Sequence, residues 1–363
     1  MREAIRWAKK GIGRTSPNPM VGAVIVRDNR IISAGYHQRA GVDHAEVDAL
    51  KKMSESAVLT GDVMYVTLEP CNHHGRTGPC TEAILKSGLR KVVIGMQDPN
   101  PNVVGGGGAF LRGKGVEVTI GVLESECSKL NEAYIKFVST RRPFVIAKSA
   151  LTMDGWTATS AGQSRWITNE RSRAFVHRLR DQVDAVLVGI GTILADDPLL
   201  TTRLKNKRGK DPIRVIVDTN LKTPHNAKVI THPSASRTLI MVNEDVRAEA
   251  LRLFENSPVS IVRCPIKEGN IDLGVMLDIL GDMSITSLLV EGGAAIMGTL
   301  IREHLIDKFH IFKAPKILGG GDGIPMAGGH GPGDMGEALG LKDISVRRFG
   351  DDFLFTGYPV YSR

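Results

Sequence analysis

Residues 68–83 read LEPCNHHGRTGPCTEA, and this stretch contains two of the four cysteines in a chain of 363 residues. Cys71 and Cys80 are separated by a polar loop with two histidines, an arginine and several glycine and proline residues. The N-terminal residues lack the apolar centre of a signal peptide, so we expect a cytoplasmic protein with reduced thiols. Close cysteines in that compartment indicate a metal site or catalysis. Cys127 and Cys264 have no such neighbours and are expected to be buried thiols.

A third metal ligand is available in the segment HAEVDAL, residues 44–50, which reads as the start of a helix. A catalytic zinc ion binds three nitrogen or sulfur ligands and keeps a fourth position for water, and His44, Cys71 and Cys80 supply three such ligands. Glu46 does not share a helix face with His44, so we interpret it as the group that moves protons to and from the water. A structural site with His74 as a fourth ligand is the alternative, but it would leave Glu46 without a role.

Strands and helices alternate along the chain, which predicts an α/β fold with two domains, residues 1–142 and 143–363. In the first domain, VGAVIVRDNRIISAG (21–35) reads as two strands joined by a turn at Asp28-Asn29. In the second domain, AVLVGIG, IRVIVD and TLIMV are continuous apolar runs. Such runs are typical of a mostly parallel sheet that is covered on both faces.

The charge balance gives a weaker indication of function. The net charge is +8, but only 5% of residues are aromatic and the basic residues are scattered. A surface that stacks bases would need aromatic residues interleaved with arginines, so anionic small molecules explain the charge better than nucleic acid. No run of 18 apolar residues occurs in the sequence, so we expect no membrane span.

The first-domain motifs resemble a known enzyme family. His44-Ala45-Glu46 and Pro70-Cys71 match the H-x-E and P-C-x-x-C signature of zinc-dependent cytidine deaminases, although eight residues instead of two separate the cysteines. The expanded loop PCNHHGRTGPC, with TSPNPMVGAVIV (15–26) and DPNPNVVGGG (98–107), resembles the deaminase domain of the riboflavin-pathway bifunctional deaminase–reductases. This resemblance implies a cytidine-deaminase-like α/β/α sandwich. It also implies that Asn18, His73 and Arg76 bind a pyrimidine ribosyl phosphate.

The second domain contains LLVEGGAAIMGTLI (288–301), which reads as a buried strand, a Gly-Gly turn and a helix. Such a turn lets a phosphate approach the backbone N–H groups at a helix N-terminus, although it is not the dinucleotide-binding fingerprint. AKSALTMDGWTA, GQSRWIT, residues 177–203 and VEGG occur in the order found in the reductase domain of the same family. The resemblance implies a dihydrofolate-reductase-like α/β domain that uses NADPH.

The same resemblance assigns site residues in the second domain. The expected cofactor contacts are Ala150, Trp166, Thr192, Asp196, Gly293, Ala294, Ala295, Ile296, Met297, Gly298 and Thr299. The expected substrate contacts are Ser164, Arg180, Leu200, Arg203 and Glu291, and Lys148 and Glu291 are candidates near the reacting sugar carbon. Structural roles remain as alternatives: Trp166 and Leu200 could pack in a core, Asp196 could cap a loop, and Arg180 could be a solvated helix residue.

The resemblance therefore implies two reactions. The first is zinc-hydroxide deamination of 2,5-diamino-6-ribosylamino-4(3H)-pyrimidinone 5′-phosphate, and the second is NADPH-dependent reduction of its ribosyl group to ribityl. One zinc ion per chain, no nucleic-acid or membrane partner, and a homo-oligomer are expected. Two alternatives stay open from the residues: a tRNA-type nucleic-acid deaminase with an appended binding domain, and a non-catalytic metal-binding module.

Overall fold

The computed structural model describes residues 1–53, 58–59, 61–73, 78–101, 106–205 and 209–361. The chain divides into two compact units, Met1–Arg141 and Arg142–Arg363. This division falls one residue before the boundary that the sequence predicts. Within the described residues, no helix is long and apolar enough to cross a lipid bilayer.

The first unit contains a five-stranded sheet with the order β2-β1-β3-β4-β5. Strands β3, β4 and β5 are parallel, whereas β1 is antiparallel to both of its neighbours. The strands are β1 Gly22–Arg27, β2 Arg30–Tyr36, β3 Val63–Leu68, β4 Lys91–Met96 and β5 Glu117–Ile120. The helices are α1 Arg2–Ala8, α2 Ala45–Lys51, α3 Cys80–Ser87, α4 Gly107–Gly113, α5 Glu124–Leu130 and α6 Glu132–Thr140.

The turn between β1 and β2 confirms the predicted hairpin. Asp28 and Asn29 have φ of 46° and 60°, which is the left-handed pair that a tight turn between twisted strands requires. Gly22 in β1 pairs with Tyr36, whereas Gly35 in β2 pairs with Ala23, the residue after Gly22, so the two glycines face opposite sides of the sheet. A Cβ on Gly22 would lie 2.1 Å from a backbone atom of α1, and one on Gly35 would lie 2.4 Å from a backbone atom of α2. Helices therefore cover both faces, and the α/β/α sandwich is confirmed.

The second unit contains a nine-stranded sheet with the order β11-β10-β9-β8-β14-β6-β15-β18-β17. Among the described residues, the β15–β18 and β18–β17 pairs are antiparallel and the other pairs of this sheet are parallel. Its strands are β6 Phe144–Leu151, β8 Ala185–Gly189, β9 Ile213–Val217, β10 Thr238–Asn243, β11 Val259–Cys264, β14 Ser287–Val290, β15 Lys308–Lys313, β17 Gly340–Phe349 and β18 Asp352–Val360. Two short two-stranded sheets pair β7 Trp156–Ala158 with β16 Ile324–Pro325, and β12 Ile266–Lys267 with β13 Asn270–Ile271.

Apolar clusters cover both faces of the large sheet. On one face of the sheet, Val215 and Leu187 pack with Met276 and Leu300. On the opposite face, Val186 packs with other buried residues. The helices of this unit are α7 Glu170–Gln182, α8 Ile190–Asp196, α9 Lys228–Thr231, α10 Ala248–Arg252, α11 Leu273–Asp282 and α12 Ala294–Arg302. Residues of β8 are all buried, as expected for a parallel strand between two helical layers. The predicted mostly parallel sheet is confirmed.

Candidate active sites

The three predicted metal ligands lie together in the first unit. One ligand atom from each of His44, Cys71 and Cys80 lies within 4.8 Å of the others. Nδ1 of His44 is 3.3 Å from the Cys80 sulfur and 3.5 Å from the Cys71 sulfur. His44 is the N-cap residue of α2, and Cys80 is the first residue of α3, so two helix N-termini meet here. One nitrogen and two sulfur ligands at this separation fit a tetrahedral zinc ion with one position left for water.

The charge at this cluster favours metal binding. Hydrogen bonds from the Cys80 thiol and from His44 lower the pKa of Cys71 well below its ordinary value. The backbone N–H of Cys80 also donates to the Cys71 sulfur at 3.4 Å. A thiolate is the form of cysteine that binds metal, so Cys71 is prepared as a ligand by its neighbours.

Glu46 lies two residues after His44 on α2 and is 3% exposed. Its burial, together with the nearby negative charge of Cys71, raises the pKa of Glu46 to about 7. A carboxyl group with a pKa near the working pH can both take and return a proton. The placement beside the cluster fits the proton-transfer role that the sequence predicts for Glu46.

Asn18 is connected to this site through a histidine that the sequence prediction missed. His37 is 2% exposed, and its Nδ1 lies 3.0 Å from the carbonyl oxygen of Asp43, so Nδ1 carries the proton and donates. Nε2 therefore accepts from the amide nitrogen of Asn18 at 3.1 Å. The rings of His37 and His44 pack edge to face with their centroids 5.2 Å apart. Asn18 thus has a fixed amide orientation close to the metal ligands.

The loop between the cysteines is described only in part. His73 is exposed, and Arg76 and His74 lie outside the described residues. A second missed residue, Glu69, lies at the start of this loop and is 8% exposed. Its carboxylate accepts from the backbone N–H of Gly108 at 2.8 Å and from that of Asp98 at 3.2 Å. The sequence signal for Glu69 was its position directly before Pro70-Cys71, at the end of a buried strand.

The glycine-rich segment packs directly against the cysteine loop. A Cβ on Gly107 would lie 1.8 Å from the carbonyl oxygen of Pro70, far closer than any real contact. Gly106, with φ of 52°, would also place a Cβ 2.9 Å from the Glu69 carboxylate. Small residues are therefore required where this segment crosses the loop.

In the second unit, three charged side chains from different elements meet. Glu291 follows β14, Lys148 lies in the neighbouring strand β6, and Arg180 lies on α7. Arg180 Nη2 donates to Glu291 Oε2 at 3.0 Å, and Lys148 Nζ donates to the same oxygen at 3.3 Å. Although burial acts in the opposite direction, the two cations lower the pKa of Glu291 to about 2. Arg180 is therefore a paired, partly buried residue and not a solvated one.

Residues 200–203 lie next to this cluster. Arg180 Nη1 donates to the carbonyl oxygen of Thr201, and Arg203 Nη1 donates to the Thr201 hydroxyl, both at 3.0 Å. Leu200 is 3% exposed and belongs to an apolar cluster of the sheet, as the packing interpretation expects. Residues 200–203 thus hold Arg180 and Arg203, the two arginines predicted to bind substrate, near Glu291.

The Gly-Gly turn after β14 brings together two of the predicted cofactor segments. Gly292 and Gly293 have φ of 159° and 88°, and a Cβ on Gly292 would lie 3.0 Å from the hydroxyl of Thr192. Farther along α12, Met297 is 3% exposed and lies in the core. A Cβ on Gly298 would lie 1.9 Å from the carbonyl oxygen of Gly328. The half-buried turn, the half-buried Thr192 and the exposed Ala295 are therefore accessible, whereas Met297 and Gly298 pack inward.

Three further cofactor candidates are Trp166, Asp196 and Ala150. Trp166 is 60% exposed, which argues against the core-packing alternative. Arg165, the preceding residue, donates to the carbonyl oxygen of Asp196 at 2.8 Å, so Trp166 and Asp196 are near each other. Ala150 is in β6, and Ser164 lies in the loop before Trp166. A cavity of about 350 Å³ opens beside Trp166 and the N-terminus of α7.

Comparisons with known proteins agree with these two sites. Residues 1–96 match the family model of the cytidine and deoxycytidylate deaminase zinc-binding region, and residues 143–355 match that of the RibD C-terminal domain. The riboflavin biosynthesis protein RibD of Actinobacillus pleuropneumoniae is 41% identical over 363 residues, which cover 100% of this chain and 95% of that protein.

This chain belongs to the RibD family.

Further members of the RibD family show the same relationship. The RibD protein of Escherichia coli K12 is 36% identical over 363 residues, which cover 97% of this chain and 96% of that protein. The crystal structure of a diaminohydroxyphosphoribosylaminopyrimidine deaminase/5-amino-6-(5-phosphoribosylamino)uracil reductase from Thermotoga maritima matches with a TM-score of 0.87 and 38% identity, covering 99% of this chain and 97% of that one. Acinetobacter baumannii RibD matches with a TM-score of 0.87 and 36% identity, covering 99% and 98%.

Membership of the RibD family defines the activity class. The protein is a bifunctional enzyme of riboflavin biosynthesis, with a zinc-binding deaminase unit followed by an NADPH-dependent reductase unit. The match of the second unit to the RibD C-terminal domain favours this function over a nucleic-acid deaminase with an appended binding domain. The protein is therefore an enzyme, which excludes the non-catalytic metal-binding module that the residues alone left open.

Proposed function

We propose that this enzyme deaminates 2,5-diamino-6-ribosylamino-4(3H)-pyrimidinone 5′-phosphate and then reduces the ribosyl group of the product to ribityl. The substrate class named for the Thermotoga maritima enzyme supports this proposal. The single observation that carries it is the grouping of His44, Cys71 and Cys80 around a buried Glu46 whose pKa is raised to about 7.

In the deaminase unit, zinc bound by His44, Cys71 and Cys80 would supply an acidified water as the nucleophile. As the C–O bond forms at the ring carbon that bears the 2-amino group, Glu46 takes one proton from this water and passes it to the ring nitrogen that receives the electron pair of the C=N bond. Glu46 then moves the remaining hydroxyl proton to the amino nitrogen as the C–N bond breaks, so ammonia leaves and a carbonyl remains. Asn18, whose amide nitrogen is committed to His37, offers its carbonyl oxygen to an N–H group of the pyrimidine.

His73 and Arg76 are proposed to bind the phosphate end of the same substrate, because a cation in a polar loop suits a phosphate. Burial raises the pKa of Asp98, and the nearby His73 acts in the opposite direction. Arg76 remains a proposal from the resemblance of the loop motif.

In the reductase unit, NADPH would supply the hydride to C1′ of the ribosyl group. We propose that Ala150, Trp166, Thr192, Asp196 and the Gly-Gly turn bind the cofactor. We also propose that Ser164, Arg180 and Arg203 contact the substrate, the two arginines at its phosphate, whereas the buried Leu200 packs in the apolar cluster. As the hydride reaches C1′, the bond between C1′ and the ribose ring oxygen breaks, and that oxygen takes a proton from a donor that still carries one at neutral pH. The pKa of Glu291 is about 2, so its carboxylate is ionised and serves to hold Arg180 and Lys148. Lys148, whose Nζ donates to Glu291, is the better candidate for the donor.

The test uses purified enzyme with the diaminopyrimidinone ribosyl phosphate and follows ammonia release and NADPH oxidation together. We expect wild type to do both. The Glu46→Gln variant should lose ammonia release but still oxidise NADPH when given the deaminated substrate. Ammonia release without NADPH oxidation would reject the proposed reductase substrate. Absence of both reactions in zinc-replete enzyme would reject the substrate of both units.

We further propose that the enzyme is cytoplasmic and forms a homo-oligomer. All four cysteines are free thiols, which suits a reducing compartment. Strand β17 is at the edge of the large sheet, and the hairpin that it forms with β18 exposes Val346, Phe353 and Phe355 on one face. Exposed apolar faces of this kind are typical of association surfaces. Light scattering on the purified enzyme measures the oligomeric state, and a monomer at micromolar concentration would reject the proposal.

A further inference from the structure

His177 lies on α7, one turn before Arg180, and none of the site assignments above uses it. Residues three apart on a helix share a face, so His177 and Arg180 both point towards the segment 200–203. The Nδ1 atom of His177 accepts a hydrogen bond from the backbone N–H of Arg203 at 3.3 Å. His177 is half-buried in this position.

The segment 200–203 depends on side-chain contacts for its shape. Leu200 has φ of 53°, a left-handed conformation that is unfavourable for a leucine. Arg180 holds the carbonyl oxygen of Thr201, and Arg203 holds the Thr201 hydroxyl. These two contacts fix Thr201, and the bond to His177 fixes the backbone of Arg203 itself. The backbone from which the Arg203 side chain extends is therefore held by an acceptor at position 177, and the guanidinium by Thr201.

The surroundings keep this acceptor in the required form. Burial, with the positive charges of Arg180 and Arg203, lowers the pKa of His177 to about 4. The imidazole is therefore neutral near pH 7, with an unprotonated Nδ1 facing the N–H of Arg203. A cationic side chain in the same place would repel both arginines and could not accept the bond.

We propose that His177 is a positioning residue of the reductase unit, whose imidazole holds the backbone of Arg203 so that the guanidinium faces the phosphate of the substrate. This proposal rests on the proposed reductase function. His177 acts through Arg203 and does not touch the reacting carbon, so its loss should weaken substrate binding more than the chemical step. An effect on binding alone changes KM and leaves kcat nearly constant.

The experiment compares His177→Leu, His177→Gln and Arg178→Leu in the full-length enzyme. Leucine removes the acceptor at similar size, whereas the glutamine carbonyl oxygen can still accept the Arg203 N–H. Arg178 is the next residue on α7 and is exposed, so its change controls for general effects on the helix. We expect His177→Leu to raise the KM for the deaminated substrate about tenfold, the scale of one lost hydrogen bond. The kcat and the KM for NADPH should stay within about twofold of wild type, with most of the KM recovered in His177→Gln.

Two further measurements separate positioning from general destabilisation. In an Arg203→Ala background, adding His177→Leu should raise KM no further, because the two residues act as one unit. The dephosphorylated substrate should show the same KM with wild type and His177→Leu. Equal losses in the leucine and glutamine variants, or a fall in kcat at constant KM, would overturn the proposal. If wild type itself neither binds nor reduces the phosphorylated substrate, the proposed reductase function fails and the role of His177 fails with it.

Discussion

Glu291 and Arg180 form a two-point ion pair in the reductase unit: Arg180 Nε donates to one carboxylate oxygen, and Nη2 donates to the other. The carboxylate is 4% exposed, so Arg180 and Lys148 compensate its buried charge almost alone among the described residues. This pairing, and not solvent, sets the ionisation of Glu291.

The first prediction concerns Glu291→Gln. A neutral amide leaves two buried cations without a counter-charge, which costs several kcal/mol. We expect NADPH oxidation to fall at least about 100-fold, with ammonia release unchanged. Because the pKa of Glu291 is about 2, its carboxylate stays ionised above that pH. The pH profile of the wild-type reductase between about pH 5 and pH 9 should therefore show no limb that belongs to Glu291.

The matched control for this change is Glu255→Gln, at an exposed residue of the same unit. It should behave as wild type in both assays. Reductase activity that survives in Glu291→Gln would show that the ion pair is not needed for the reaction.

The second prediction concerns metal removal. Cys80→Ser should reduce the zinc bound per chain and abolish ammonia release, because serine is a far weaker zinc ligand than a thiolate. NADPH oxidation with the deaminated substrate should remain within about twofold of wild type. Atomic absorption measures the zinc, and Cys264→Ala, at a buried thiol of the second unit, is the control. Full zinc content in Cys80→Ser would contradict the proposed ligand set.

The third prediction concerns Glu69. Glu69→Ala leaves the backbone N–H groups of Gly108 and Asp98 without their acceptor, which costs about 2 kcal/mol in a buried site. We expect the melting temperature of the deaminase unit to fall and the rate of ammonia release to fall about tenfold, because the glycine-rich segment no longer holds its place beside the cysteine loop. Glu126→Ala, at an exposed residue, should change neither quantity. An unchanged rate would mean that Glu69 stabilises the fold without positioning the site.

The fourth prediction concerns the pH dependence of stability. His310 lies in β15 and is 8% exposed. Burial, with the positive charges of Lys308 and Arg347, lowers the pKa of His310 to about 4. In the unfolded chain, the imidazole of this histidine has an ordinary pKa near about 6.5. As the pH falls below about 6.5, the unfolded chain therefore binds a proton that the folded state does not bind. This histidine therefore has no effect well above pH 6.5 and destabilises the fold increasingly between pH 6.5 and pH 4.

The measurement is the free energy of unfolding of the reductase unit in urea at about pH 7.5 and about pH 5. The three tryptophans are Trp7, Trp156 and Trp166, so a Trp7→Phe background restricts the fluorescence signal to the second unit. His310→Gln should reduce the loss of stability between the two pH values by about 2 kcal/mol. The same change at the exposed His225 is the control. Equal pH dependence in wild type and His310→Gln would contradict the prediction.

Local signals predicted much of the fold. The Asp28-Asn29 turn and the apolar runs of the parallel strands depend on neighbouring residues, and both are present. The β17–β18 hairpin was missed. Most residues of β17 are exposed and several are charged, so its sequence carries little alternation. Its place in the sheet comes from pairing with β18, which a pattern within β17 cannot indicate.

The same division applies to the site residues: local sequence signals predicted some of them, and those that depend on contacts with distant segments were missed. His44, Cys71 and Cys80 were predictable because metal ligands require particular residue types near helix starts. His37 and Glu69 act through contacts with distant segments. A single histidine has no spacing that marks it, and the position of Glu69 directly before Pro70-Cys71 could not show that it holds the glycine-rich segment. His177 did offer a signal, because it is three residues before Arg180 on a helix, but spacing alone could not show that it faces Arg203.

The contact between Pro70 and Gly107 has a consequence for protein engineering. The cysteine loop and the glycine-rich segment are far apart in sequence, yet a single methyl group at Gly107 would collide with the loop backbone. Grafting the loop of another deaminase into this enzyme, with the aim of changing its substrate, therefore requires both segments to be exchanged together. A chimera that replaces only one of them would inherit a steric conflict beside the zinc ligands.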